Sequence, residues 1–415
     1  MEIKLHEDKC AINTLPSQIR QVFEAEGLIQ NNHERLDFCG LVMHNGTPNI
    51  FLPRNSAIPK DCNPRKIGSF LIRAIHKYVQ NRYRSNIMDG TSDRLLGDSF
   101  LSLAFSLLTD YITYGIYIKR TSDIKKNQGK TCWKRTINKT HSYPSNSAPI
   151  YLDTIGCKKI LSLDTEVTRI HAKVIRDLEN IIGWAYFDEE PGIKQDLGDI
   201  SLPNLNVKDQ LQSLERELNN LYGDREITLI KNLCIYLSLG ESNSSNSIVI
   251  GINKFHSMWE KMIDSCMNWK FEINHLLAKP CYKMNGSYQP ASQKGGRTDT
   301  VLKVPCEDIF AVIDAKYYGA DNISNLPGWP DLIKQFFYAL ALKDIYSSAT
   351  IYNYFIFPGT LHIVESVHLQ DPYTEELLDE NYMPIECIYI EPLTLINNYI
   401  SNKKLNVLSK KLLKM

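Results

Sequence analysis

The chain has 415 residues, enough for two or three domains, and its 47 basic and 47 acidic side chains give a formal net charge of zero. A chain with this balance is not a polycation, so any contact with nucleic acid must come from local basic patches. Its 10 cysteines include no Cys-x-x-Cys pair, which argues against a zinc site and favours reduced thiols in the cytoplasm.

A membrane location is not expected from the sequence. The first residues lack a hydrophobic signal core. The most apolar long segment, residues 100–118, is interrupted by polar side chains such as Ser106 and Asp110. This pattern favours a buried helix over a membrane span.

The first domain is predicted to cover residues 1–150, to have an α+β fold and to contact DNA or a partner protein. Its apolar periodicity predicts a helix, two strands and two more helices, over residues 16–26, 40–44, 48–53, 63–84 and 94–108. Asn45-Gly46 between the two strands is a strong signal for a tight hairpin turn.

A basic segment near the end of this domain has two interpretations. Residues 119–139 contain eight lysines and arginines against one acid, Asp123. The segment could be a solvated loop. Alternatively, it is a hairpin in which Lys130, Lys134 and Arg135 contact DNA phosphates and Trp133 stacks on a base.

Gly129-Lys130-Thr131 resembles the end of a phosphate-binding P-loop but lacks the rest of the motif. That motif requires a glycine five positions before Gly129, where the chain has Ile124. The residues after Thr131 are predicted to form a strand, whereas a P-loop leads into a helix. Any nucleotide-driven motor would therefore be a separate chain.

Residues 151–240 are predicted to be mainly helical. Leucines at helical spacing between residues 205 and 221 favour core packing, with a partner helix as the alternative. The polar segment 240–247 is predicted to be a linker. A third domain, residues 248–415, is expected after it.

The third domain is predicted to open with a helix over residues 255–266. Its apolar stripe is formed by Phe255, Met258, Trp259, Met262, Ile263 and Cys266. Glu260 lies on another face, and by itself it would be interpreted as a solvated charge.

A hairpin follows, in which three charged residues are expected to meet. Residues 297–303 and the apolar run 309–313 are predicted strands, separated by a turn. Asp314 and Lys316 follow the second strand and should share one face, because side chains at i and i+2 do so. Asp299 on the first strand can lie across from Asp314. Two carboxylates beside a lysine suit Mg²⁺, which prefers oxygen ligands.

The next helix is predicted to begin near Trp329-Pro330, with proline in its first turn. One side is expected to be buried through Leu332, Ile333, Phe336, Phe337, Leu340 and Ala341. Gln335 and Tyr338 are its polar positions. A strand over residues 350–357 completes the order helix, strands, helix, strand.

Asp299 together with Asp314-Ala315-Lys316 resembles the PD-(D/E)XK nuclease signature, with Thr298 in place of the usual proline. The segment 331–338 is similar to McrC-type restriction subunits. Residues 129–136 and 255–260 resemble the LlaJI family of restriction endonucleases. The resemblance implies an α/β protein whose C-terminal PD-(D/E)XK core is a mixed central sheet flanked by helices.

The resemblance also implies roles for individual residues. Asp299, Asp314 and Glu260 would bind Mg²⁺, for which Mn²⁺ could substitute. Lys316 would orient the attacking water and stabilise the developing charge. Gln335 would hold Lys316 or a phosphate.

By resemblance, the chain is expected to be a restriction endonuclease subunit that cuts double-stranded DNA. It would work with a separate McrB-like GTPase, with GTP used only by that partner, and with a cognate methyltransferase in the same system. Two alternatives remain: a repair or recombination nuclease acting on branched or single-stranded DNA, and a non-catalytic DNA-binding subunit.

Overall fold

The computed structural model describes residues 3–29, 34–59, 61–85, 93–146, 148–162, 164–186, 197–242, 247–291 and 296–415. The chain forms two compact units. Unit 1 comprises residues 1–102, 185–188 and 245–415, and unit 2 comprises residues 103–184 and 189–244. This grouping differs from the three consecutive domains expected from the sequence (1–150, 151–240 and 248–415), whose separate functions stay a prediction.

The strands are β1 (Lys4–Glu7), β2 (Cys39–His44), β3 (Thr47–Leu52), β4 (Arg94–Leu96), β5 (Lys119–Lys126), β6 (Lys130–Thr131), β7 (Ile155–Ser162), β8 (Ser247–Asn253), β9 (Cys281–Met284), β10 (Ser287–Pro290), β11 (Thr300–Lys303), β12 (Ile309–Ala315), β13 (Thr350–Pro358), β14 (Ser366–Val367) and β15 (Ile385–Ile390).

The α-helices are α1 (Ser17–Ala25), α2 (Pro64–Ser85), α3 (Asp98–Tyr114), α4 (Trp133–Lys139), α5 (Glu166–Leu178), α6 (Trp184–Tyr186), α7 (Val207–Leu218), α8 (Asp224–Ser242), α9 (His256–Cys266), α10 (Trp329–Ile345), α11 (Pro392–Ile400) and α12 (Asn406–Leu412). Of the helices formed by the described residues, not one combines the length and the apolar character needed to cross a bilayer.

The first sheet of unit 1 has the strand order β1-β3-β2-β8-β4. The β2–β3 hairpin confirms the turn predicted at Asn45-Gly46, whose φ angles of 48° and 74° are the positive values that such a turn requires. β8 pairs with all of β2, so residues assigned from the sequence to the third domain form a strand inside the N-terminal sheet.

The predicted helix over residues 94–108 is wrong at its start. Arg94–Leu96 form β4, which pairs with β8, and α3 begins at Asp98. Gly97 separates the two elements with φ +62°, and a Cβ there would lie 2.3 Å from the Val249 carbonyl oxygen. Only glycine fits this close approach without strain. Gly97 therefore lets the chain turn from β4 into α3.

The second sheet of unit 1 has the order β11-β12-β13-β15-β14. β11 is antiparallel to β12, whereas β12, β13 and β15 run parallel, so the sheet is mixed as expected. Residues 310–315 of β12 are all buried, which confirms the strand predicted from the apolar run. The α/β class is confirmed, and the described residues form several sheets.

The prediction for the buried side of α10 is wrong in part. Ile333, Phe337 and Leu340 are about half exposed. The helix instead buries Gln335, Phe336, Tyr338, Ala339 and Leu342. Because α10 carries apolar side chains on more than one face, its periodicity does not determine which face meets the sheet.

Unit 2 combines the three-stranded sheet β5-β7-β6 with helices α5, α7 and α8. Residues 163 and 187–196 lie outside the described residues; among the described residues of 151–240 helices dominate as predicted, and β7 is the main departure. This strand hydrogen-bonds to both β5 and β6. Local periodicity does not reveal such long-range pairing.

Candidate active site

Asp299 and Asp314 are brought together by the β11–β12 hairpin. Thr300 pairs with Ile313 at one end of the hairpin ladder. Asp299 precedes Thr300 and Asp314 follows Ile313, so both aspartates lie at that end. The Ala315 amide donates to Asp299 Oδ2 over 3.2 Å. Asp314 is 3% exposed. The sequence-based expectation that these two carboxylates meet is confirmed by this geometry.

The charge of Asp314 adds to a strong effect of burial on the pKa of Asp299. Burial raises the pKa of Asp299 from its ordinary 3.8 to about 8, and the charges of Asp314 and Glu260 add to the effect. Burial, followed by the charge of Asp314, also raises the pKa of Glu260. Like charges in a poorly solvated site cannot all ionise easily. A cation placed between them would relieve this repulsion.

Lys316 lies directly beside this acidic pair. Its Nζ is 2.7 Å from Asp314 Oδ2 and 2.8 Å from Asp331 Oδ1. Burial would lower its pKa, but the two aspartates outweigh that effect and raise it, so the ammonium stays charged. The prediction that Asp314 and Lys316 share one face is confirmed.

α10 contributes two charged residues that were not predicted to belong to the site. Asp331 accepts hydrogen bonds from Lys316 Nζ and from Tyr318 Oη, the latter over 3.1 Å. Lys334 Nζ lies 3.6 Å from Asp314 Oδ1 and 3.9 Å from Asp299 Oδ1. The spacing of Asp331 and Lys334 was a usable signal in the sequence, because residues three apart share a helix face. That signal could not identify which face meets the sheet.

Gln335 is placed differently from the expectation that it holds Lys316. It is 1% exposed, and its Nε2 donates to the Val312 carbonyl over 3.0 Å. The same nitrogen lies 3.3 Å from Asn353 Oδ1 and from the Tyr354 carbonyl. Gln335 therefore ties α10 to the backbone of β12 and β13. The position beside Lys316 that was expected for Gln335 is occupied by Asp331.

Glu260 is close enough for its charge to act on both aspartates, but it does not complete a ligand cluster. Within the described residue ranges, no group of three or more histidine, cysteine, aspartate or glutamate side chains is arranged to hold a metal ion. The role of Glu260 as a third metal ligand therefore stays a prediction.

The aspartate pair nonetheless suits a divalent cation. Asp314 Oδ2 is buried and lies 2.7 Å from Lys316 Nζ. Mg²⁺ is commonly held by one or two carboxylates, with water and phosphate oxygens completing its shell. Asp299 and Asp314 could hold such an ion together.

The predicted DNA-contacting residues lie in unit 2. Lys130, Lys134 and Arg135 are exposed, and Trp133 is 59% exposed, with its ring 6.3 Å from that of Tyr151. The prediction of a strand after Thr131 is wrong, because α4 begins at Trp133.

The helical turn is closed by the amides of Arg135 and Thr136, which both donate to the Cys132 carbonyl. Thr136 also anchors the turn to β7, since its Oγ1 accepts from the Ile155 amide over 3.0 Å. The bond to Ile155 forms only once β7 is in place.

The chain is similar to several known proteins. The chain matches the LlaJI restriction endonuclease family over residues 38–370. It is 24% identical over 396 residues to the type II restriction enzyme BsuMI component YdjA of Bacillus subtilis strain 168, covering 87% of this chain and 80% of that protein.

Among solved structures, the chain is similar to one in a half-complex from the tetradecameric assembly of Thermococcus gammatolerans McrB AAA+ hexamers with bound McrC. That likeness has a TM-score of 0.44 and 13% identity, over 98% of this chain and 99% of the other. The McrBC complex of the same organism is similar at a TM-score of 0.25 and 12% identity, over 63% of this chain and 85% of the other.

Proposed function

This chain belongs to the LlaJI restriction endonuclease family, and we propose that it is the subunit that hydrolyses DNA phosphodiester bonds with Mg²⁺. The proposal rests on the position of Lys316. Its Nζ lies 2.7 Å from Asp314 Oδ2, and Asp314 lies beside Asp299. A lysine beside two carboxylates supplies the groups that metal-assisted phosphodiester hydrolysis requires.

Asp299 and Asp314 hold the ion in this proposal, and Mn²⁺ can substitute for Mg²⁺. When bound, the ion neutralises phosphate charge and makes hydroxide available at neutral pH. Lys316 points its ammonium at the reacting phosphate and stabilises the charge that develops there. Glu260, whose charge acts on Asp299, would hold a water at the edge of the site.

We assign the DNA contacts of unit 2 to Lys130, Lys134 and Arg135, with Trp133 as a stacking surface. Their exposure supports this assignment, since side chains that bind a backbone must be free to reach it. A chain with zero formal net charge needs such a local patch to bind a polyanion.

The motor in this system is proposed to be a separate McrB-like GTPase. The resemblance of residues 331–338 to McrC-type subunits and the missing P-loop glycine at Ile124 support this division of labour. The helices around the β2–β3 hairpin are the proposed docking site for that partner, because the strands of the hairpin are buried except at His44 and Thr47. A cognate methyltransferase would protect the host DNA.

The function can be tested on material purified through a tag on this chain from cells that express its whole restriction system. Plasmids with and without methylation, and a branched-DNA junction, are incubated with Mg²⁺, with and without GTP. We expect plasmid cleavage that depends on Mg²⁺ and GTP. Failure to cut any substrate would reject the nuclease function. Efficient cutting by the isolated chain without GTP would reject the motor partner, and preference for the junction would indicate a repair nuclease.

A further inference from the structure

We propose that Asp331 is the positioning residue that keeps the Lys316 ammonium at the reacting phosphate, an inference that rests on the proposed nuclease function. Lys316 Nζ lies between two carboxylates, 2.7 Å from Asp314 Oδ2 and 2.8 Å from Asp331 Oδ1. One of these acids belongs to the pair that would hold the metal ion. The other belongs to a different element, α10.

Asp331 is itself fixed in place. Its Oδ2 accepts a hydrogen bond from Tyr318 Oη over 3.1 Å, which leaves Oδ1 directed at Lys316. Its backbone amide donates to the Gly328 carbonyl in the first turn of α10. An acidic residue in a first turn is stabilised by the helix dipole. The carboxylate is therefore held from both its backbone and its side chain.

Lys316 needs a second acidic partner because Asp314 would also bind the metal ion. A cation bound to Asp314 would share its negative charge, and Lys334 Nζ already lies 3.6 Å from its Oδ1. The attraction that Asp314 exerts on Lys316 would then weaken. Asp331 is the other carboxylate beside Lys316 Nζ. Because it would not bind the ion, its charge would still attract the ammonium. A lysine side chain is flexible, so without such an anchor it would sample many rotamers.

Asp331 could instead serve only to stabilise α10. In that case its replacement would lower the stability of the fold without changing the catalytic rate. Asp344, exposed near the other end of α10, provides a matched control because it is the same residue type on the same helix.

The first experiment compares Asp331→Asn and Asp344→Asn in the tagged complex under single-turnover conditions. We expect Asp331→Asn to slow cleavage roughly tenfold or more, as expected when a reacting group loses its orientation. The affinities for DNA and Mg²⁺ should remain as in the wild type when rates and affinities are compared per folded molecule. An unchanged cleavage rate, or a loss of Mg²⁺ binding in Asp331→Asn, would overturn the proposal.

A second experiment does not depend on cleavage. The proteins are acylated with an amine-reactive ester at saturating Mg²⁺, and modification of Lys316 is measured by mass spectrometry. Lys316 should be protected in the wild type and in Asp344→Asn but modified several-fold faster in Asp331→Asn. Equal modification in all three proteins would overturn the role of Asp331. A wild type that fails to cleave would reject the nuclease function, and the acylation pattern would still decide whether Asp331 holds Lys316.

Discussion

Asp299 lies one residue before Thr300, and Asp314 lies one residue after Ile313, the residue with which Thr300 pairs across the β11–β12 hairpin. The register of a single hairpin therefore places the two carboxylates together at one edge of the second sheet. Each is costly to bury as a lone charge. Their common position and the high pKa of Asp299 point to a bound cation as the species that would stabilise them.

The first prediction concerns the metal. Isothermal titration calorimetry should show that the wild type binds Mg²⁺ and that Asp314→Asn does not, because this change removes one of the two carboxylates proposed to hold the ion. Asp308→Asn is the control, since Asp308 is exposed on the same hairpin and paired with Lys303 at 3.0 Å. Undiminished Mg²⁺ binding by Asp314→Asn would place the ion elsewhere.

The second prediction concerns pH. Asp299 has a folded-state pKa of about 8 against an ordinary value of 3.8, so between these pH values the native protein binds a proton that the unfolded chain has lost. The free energy of unfolding of the metal-free protein should therefore fall as pH rises from about 4 to about 8. The affinity for Mg²⁺ should rise over the same range, because the ion needs the ionised carboxylate.

Urea denaturation and calorimetry across this pH range test both trends. In Asp299→Asn the free energy of unfolding should fall less with pH, because the asparagine side chain does not titrate. If the stability of the wild type rises between pH 4 and 8 by an amount that Asp299→Asn abolishes, the pKa of Asp299 is lowered and not raised.

The third prediction concerns DNA binding. The salt dependence of DNA affinity should become shallower when Lys130, Lys134 and Arg135 are all changed to alanine, by up to about 0.9 in the log–log slope for each phosphate that is no longer neutralised. Fluorescence anisotropy at several salt concentrations measures this slope. The matched control replaces three exposed basic residues of α7 and α8, namely Lys208, Arg216 and Lys231. Equal slopes for the two triple variants would mean that α4 and β6 do not bind the DNA backbone.

The fourth prediction concerns Gln335. Its amide is buried and donates to the Val312 carbonyl, so Gln335→Ala leaves a buried acceptor without its partner and should cost about 1–3 kcal/mol of stability. Urea denaturation measures this cost. Cleavage per folded molecule should change much less than in Asp331→Asn. If Gln335→Ala lost most of its cleavage activity but kept wild-type stability, Gln335 would have the catalytic role implied by the family resemblance.

Several parts of this structure could be predicted because the signal is local. The apolar run of β12 followed by two charges identifies a buried strand that ends in a polar site, and positive φ angles at Asn45-Gly46 are what that dipeptide favours. The stripe of α9 from Phe255 to Cys266 is buried as its spacing requires.

Other parts depend on contacts between distant residues and were missed for that reason. β8 joins a sheet whose other strands come before residue 97, which no local pattern indicates. Asp331 and Lys334 look like ordinary solvated charges until α10 is packed on its sheet. The strand at β4 depends on Gly97, whose close approach to the Val249 carbonyl is visible only once β8 is in place.

Lys316→Ala offers the most direct test of the proposed chemistry. In the tagged complex with Mg²⁺ and GTP, this variant should cut plasmid DNA at least roughly 100-fold more slowly, as when a charge-stabilising group is removed from an active site. It should still bind Mg²⁺ and DNA, and Lys343→Ala, a lysine in the last turn of α10, should cut normally. Cleavage by Lys316→Ala at the wild-type rate would contradict the assignment of this site as the nuclease centre.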